Sequence, residues 1–201
     1  MGSRSRWLSV AVLAVACRQD QRVPAQLPAA DSATIQLARA VADSLGDELM
    51  GLLAMAMERG GPAVAIHFCA DSAQARTLRH WKNGIYIRRV SERVRNVDDT
   101  PDALERRLLE QLAQAHRAGS LPDELTDVIR APDGTFALQY VRPILVQGKC
   151  LACHGDPATF DPEVRAVLAK RYPEDRATGY AVGDLRGAVS VRVPLSAASS
   201  R

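Results

Sequence analysis

The sequence predicts an α+β domain with an antiparallel β-sheet, preceded by a long N-terminal helix. Three observations carry this reading. Residues 32–59 repeat apolar side chains at helical spacing. Residues 125–130 and 136–146 flank Pro132-Asp133-Gly134, the signal of a β-hairpin. A last alternating run at 187–193 follows further helices, so helices and strands do not alternate as in a parallel βαβ fold.

The elements follow in order. Asp31 or Ser32 caps the first helix, in which Ile35, Ala38, Val41, Ala42, Leu45, Leu49, Leu52, Leu53 and Ala56 share a stripe. Gly60-Gly61 ends it, and Pro62 suits the first turn of a second helix reaching about Leu78, with Ile66, Cys69 and Ala73 on one face. Residues 84–90 read as a strand. Thr100-Pro101 opens a helix to about Ala118, with Leu104, Leu108, Leu109 and Leu112 on one side and Gly119 as its stop. After the hairpin and a cysteine segment come a short helix at 162–171 and the closing strand, for which alternating burial is expected.

Of the 201 residues, 47% are hydrophobic and 24% charged, which excludes a disordered chain and a polytopic membrane protein. The net charge of +3 is spread without a basic block, and aromatics make up 4%, so neither duplex binding nor stacking on single strands is expected. The organisation expected is residues 1–17 as leader, 18–32 as a polar tether, 33–195 as one domain and 196–201 as a tail. Arg4 and Arg6 precede an apolar run from 7 to 16, too short to span a bilayer, and Ala14-Val15-Ala16 then Cys17 resembles a lipobox. Cys17 is therefore the expected lipidation site. Plain cleavage after Ala16 is the alternative. Either route takes the domain out of the cytoplasm, to the periplasm or cell envelope, where thiols oxidise. Contact with a membrane surface is expected only through such an anchor.

The chemistry concentrates at Cys150-Leu151-Ala152-Cys153-His154. C-x-x-C-H is the attachment signature of c-type haem. Two thiols three residues apart can each form a thioether with a haem vinyl group, and the adjacent histidine can supply an axial nitrogen. One covalently attached haem c is thus expected on Cys150 and Cys153, with His154 as an iron ligand. A Cys150–Cys153 disulfide would need a helix opening at the first cysteine, which Gly155-Asp156-Pro157 does not continue. A zinc site of Cys69, Cys150, Cys153 and His154 would need two adjacent residues to turn to one small ion.

Cys69 is left alone in an oxidising compartment, and a lone thiol there is either buried or bound. It is a candidate for the second axial position, together with His67, His80, His116, Met50, Met55 and Met57. The anionic propionates of haem favour guanidinium partners. Arg88, Arg89, Arg142 and Arg186 are the candidates carried forward, from a set that also includes Arg93 and Arg95. Tyr140 and Tyr180 are candidates to pack on the haem edge. Asp71 and Glu92 read as surface charges, and no other constellation suggests catalysis.

The chain resembles the bacterial single-haem c-type family first catalogued as a domain of unknown function, whose structurally described members are cyanobacterial. The stretches that carry the resemblance are Ala65-Ile66 with Cys69, IRRVSERVRN at 87–96, TPDALERRLLEQ at 100–111, VRPILVQGKCLACHGDP at 141–157, PEVRAVLAKRYPEDRATGY at 162–180 and GDLRGAVSVRVPL at 183–195. The resemblance implies a PAS-like fold and a six-coordinate iron with a histidine/cysteine axial pair, here His154 and Cys69. It also favours a redox or gas sensor module, because similar domains serve as extracytoplasmic inputs to signalling proteins. A small electron-transfer cytochrome is the alternative, and a peroxidase-like enzyme a second one that a sixth protein ligand argues against. The expected partner is a redox or signalling protein. The apolar face of 32–59 could also serve a second copy of the chain.

Overall fold

The computed structural model describes residues 28–131 and 133–195. The expected leader, Cys17, most of the expected tether, Pro132 and the expected tail lie outside the described residues. The elements are α1 (Ser32–Arg79), β1 (Tyr86–Val90), α2 (Ala103–Arg117), β2 (Leu125–Arg130), β3 (Phe136–Leu145), α3 (Leu151–His154), α4 (Pro162–Arg171) and β4 (Leu185–Leu195).

α1 is a helical hairpin. Asp31 caps its start by accepting from Thr34 N at 2.7 Å. The helical path breaks at Gly60 and at Gly61, whose φ of 71° lies in the left-handed region. Residues 28 apart would be ~42 Å distant along a straight helix. Instead Arg76 Nη1 lies 3.1 Å from Glu48 Oε1, and His80 Nε2 2.8 Å from Glu48 Oε2. The arms 32–59 and 62–79 therefore run antiparallel. His80, considered above as a ligand, is the C-terminal cap of the second arm and a partner of Glu48.

All four strands pair antiparallel in the order β1-β4-β3-β2. This is the expected α+β, PAS-like architecture with a four-stranded sheet. The hairpin turn between β2 and β3 has Gly134 at φ 87° and Thr135 N bonded to Asp133 Oδ1 at 3.0 Å. Both faces of the sheet are covered. Ile87, Leu138, Tyr140, Val189, Val191 and Val193 meet Ala38, Ala42 and Leu45 of the first arm, where the small alanines let helix and sheet approach closely. Val90, Val141 and Ala188 on the other face meet Leu108, Leu109 and Leu112 of α2. Hence β4 is buried continuously from Gly187 to Val193 except for half-buried Arg192, and not in alternation.

Beneath α2 lies a buried polar network. Asp102 caps this helix and forms a capping box with Glu105. Glu105 is 1% exposed, accepts from Ser190 Oγ at 2.7 Å and faces Arg88 Nη2 at 3.3 Å. Gln139 in turn donates to Ser190 Oγ at 2.8 Å and accepts from Arg192 Nε at 2.9 Å. Every strand-borne polar group of this network faces α2, which leaves the other face free for apolar packing.

Candidate haem site

The C-x-x-C-H segment forms a short helical turn. Cys150 closes a 3-10 turn (Gly148–Cys150), and α3 continues from it. Residues three and four apart on such a turn share a face, so Cys150, Cys153 and His154 are presented together. The sequence reading assigned no helix here, because four residues are too few for a periodic signal.

A second chain segment clamps the end of this turn. Gly155 N donates to Leu151 O at 2.9 Å, Tyr180 N to His154 O at 3.0 Å and Gly179 N to Gly155 O at 2.6 Å. Arg95 adds a bond to Cys153 O. The carbonyls that a helix end leaves without partners are thereby satisfied. His154 Nδ1 lies 2.6 Å from Ala177 O, a carbonyl that can only accept, so Nδ1 carries the proton. Nε2 then has its lone pair free, the arrangement typical of a metal-ligating histidine with a backbone partner. Burial pushes the imidazole pKa down to about 3, and the charges of Arg95, Arg186 and Arg89 push the same way. The ring is therefore neutral at physiological pH, as a metal ligand must be.

Cys69 belongs to the same neighbourhood. It lies one helical turn after Ile66, which packs on Phe160, Val164, Leu168 and Cys153. Burial pushes its thiol pKa up, with Arg89 and Arg95 opposing, and these two guanidiniums also act on His154. A Cys69 thiolate would in turn raise the Cys153 pKa, already raised by burial. Cys69, Cys150 and Cys153 are free thiols, each half-buried. The competing ligands are placed differently. His67 is exposed and bonded through Nδ1 to Arg171 at 3.2 Å, and His116 Nε2 lies 2.8 Å from Gly183 O. Met50 and Met55 are exposed, on the first arm. Among the described residues no group of three or more His, Cys, Asp or Glu is arranged to hold a metal ion, which leaves the zinc reading without support.

The arginines divide. Arg142 pairs with Asp43 of the first arm, and Arg88 bonds Thr100 O and faces Glu105 under α2, so neither joins the cysteine cluster. Tyr140 is likewise in the core against the first arm, its hydroxyl toward Glu124. Arg89, Arg93, Arg95 and Arg186 do gather. Arg93 lies over the Tyr180 ring at 4.0 Å, Arg186 at 5.6 Å from it, and Tyr180 meets His154 edge-on at 6.4 Å. The carboxylates paired with this group are Asp99, 3.6 Å from Arg89, and Asp175, 2.9 Å from Arg95. Four guanidiniums against two carboxylates leave two positive charges in a half-buried cluster. Arg89 Nε is buried with no hydrogen-bond partner among the described residues. The two propionates of one haem would neutralise those charges and could supply that acceptor, so the residues present fit the group. Asp175 was missed in the sequence; a single aspartate in a loop 21 residues after His154 carries no pattern that would mark it.

An antiparallel α+β domain that brings two thiols, a neutral imidazole, a further half-buried thiol and an arginine cluster to one place has the make-up of a haem protein. A family model described as Tll0287-like matches residues 15–194, and the chain belongs to that haem-protein family. The crystal structure of the cyanobacterial heme-protein Tll0287 superposes with a TM-score of 0.63 and 26% sequence identity, covering 83% of this chain and 98% of that one. No curated protein matches.

Proposed function

We propose that this chain is an extracytoplasmic c-type haem protein that serves as a redox sensor module, with one haem bound covalently through Cys150 and Cys153 and its iron held between His154 and Cys69. The observation that carries the reading is the state of the two ligands. His154 has its Nδ1 committed to Ala177 O and Nε2 free, and Cys69 is a half-buried free thiol within the influence of the same Arg89 and Arg95 that act on His154. The haem supplies a one-electron couple. Cys69 would bring a thiolate charge that favours the ferric state, and Arg89 and Arg186, whose charges act on His154, would meet the propionates. Arg95 holds the attachment turn by its bond to Cys153 O. A thiolate ligand can be displaced by reduction or by a diatomic gas, which makes the Cys69 side the switching side. Export and a lipid anchor at Cys17 belong to this proposal and rest on the leader pattern.

The test is the ferric absorption and low-temperature EPR spectrum of matured protein, wild type beside Cys69→Ala. A low-spin thiolate signature lost in the variant supports the pair. Identical spectra remove Cys69 from the iron. Stopped-flow reduction followed by carbon monoxide addition then separates the functions: ligand loss on reduction supports sensing, unchanged ligation with fast electron exchange supports a carrier, and a ferrous form that never binds carbon monoxide excludes gas sensing at the iron.

A further inference from the structure

We propose that Asp175 is a positioning residue for the axial histidine, fixing the orientation of the His154 imidazole through Ala177 and Arg95. The inference rests on the haem reading above. The two oxygens of Asp175 serve two arms of one bridge. Oδ1 accepts from Ala177 N at 2.8 Å, and Ala177 O accepts from His154 Nδ1 at 2.6 Å. Oδ2 accepts from Arg95 Nε at 2.9 Å, and Arg95 donates to Cys153 O and, at 3.4 Å, to Ala177 O. Both side chains of the ion pair are 11% exposed, so solvent screens the bridge little.

The geometry needs such a bridge. Residues 173–180 form no helix or strand, so no regular ladder sets the height of Ala177 O over the imidazole. Arg176 N bonds Val94 O on one side of Ala177, and Gly179 N bonds Gly155 O on the other. Asp175 is the side chain that accepts from Ala177 N, and through Arg95 it also reaches Ala177 O. It also compensates the Arg95 charge, which acts on His154. Loss of Asp175 therefore weakens the acceptor at Nδ1 and exposes the iron ligand to an unpaired cation. Both effects disfavour the ferric state, so the midpoint potential rises.

The experiment uses the holoprotein, wild type beside Asp175→Ala, Asp175→Asn and Asp175→Glu. Covalent haem is quantified as pyridine haemochrome. Exchange of the His154 Nδ1 proton is followed by NMR in the ferrous state, ferric EPR gives the ligand orientation, and a spectroelectrochemical titration gives the potential. In Asp175→Ala the expected results are proton exchange at least tenfold faster, altered g values and about a tenfold shift of the couple toward ferrous, ~59 mV for one electron. Asp175→Glu restores most of each. Should the alanine variant fail to mature, the isosteric Asp175→Asn keeps one acceptor and loses the charge, and a smaller shift in the same direction supports the proposal. Unchanged exchange, g values and potential in Asp175→Asn or Asp175→Ala, with only a lower Tm, overturn it and leave Asp175 as a loop-folding residue. A wild type without covalent haem refutes the underlying reading, and this proposal with it, before any variant is compared.

Discussion

Replacing Gly155 by alanine should damage the attachment turn, although the residue has an ordinary negative φ. A Cβ at this position would lie 2.7 Å from Leu151 O and 3.3 Å from Leu151 Cβ, and the first of these is backbone that cannot rotate away. Escape is blocked on both sides, because Gly155 N is bonded to Leu151 O at 2.9 Å and Gly155 O to Gly179 N at 2.6 Å. Relief requires giving up one of these bonds or pushing the turn off the 177–180 segment. Either costs about 2 kcal/mol, within the range for overpacking or for a lost buried hydrogen bond. For a domain of this size that is a fall in Tm of roughly 4–8 °C. The same shift moves His154 O away from Tyr180 N, so haem incorporation should fall as well. Gly148→Ala is the internal control, three residues before Leu151, where an added Cβ meets nothing within 4 Å. It should stay within ~0.5 kcal/mol of wild type. The assay is calorimetric unfolding of both variants with haem quantified in the same samples. If Gly155→Ala matches Gly148→Ala in both measures, the close packing of this turn is not what holds His154.

Glu105→Ala should cost ~3–5 kcal/mol in urea unfolding, because it strands Arg88 and the Ser190 hydroxyl in a buried network. Glu48 ties the two arms of α1 through His80 and Arg76, whose bonds and charges hold its carboxyl below the usual glutamate value. Its stabilisation is therefore present above pH ~4.5 and disappears as pH falls through the lower folded value; Glu48→Gln should lose about 0.5–1 kcal/mol at pH 7 and converge on wild type in acid, as read by pH-dependent melting. Arg186→Gln removes a cation beside His154, which should lower the haem midpoint potential by an amount on the order of 1 kcal/mol; an unchanged potential in a redox titration would place Arg186 outside the field of the iron.

The sequence by itself determined what is local. Periodicity and punctuation located the helices and strands, because Gly60-Gly61, Gly119, the Asp133-Gly134 turn and Pro162 act on their own backbone. Five consecutive residues, 150–154, carry the pattern on which the proposed attachment rests, because thioether formation and axial ligation would need those side chains at that spacing. The tertiary structure alone decided what depends on long-range packing. The first two helices fold back on one another, so Glu48 meets Arg76 and His80. The sheet is covered on both faces, so β4 is buried without alternation. Among look-alike arginines, Arg88 and Arg142 are drawn to Glu105 and Asp43, while Arg89, Arg93, Arg95 and Arg186 collect near His154. A charged side chain carries no record in the sequence of which distant carboxylate it will meet. The partner of His154 is the backbone carbonyl of Ala177, whose N–H donates to an aspartate two residues earlier, and a peptide oxygen leaves no trace in residue identity.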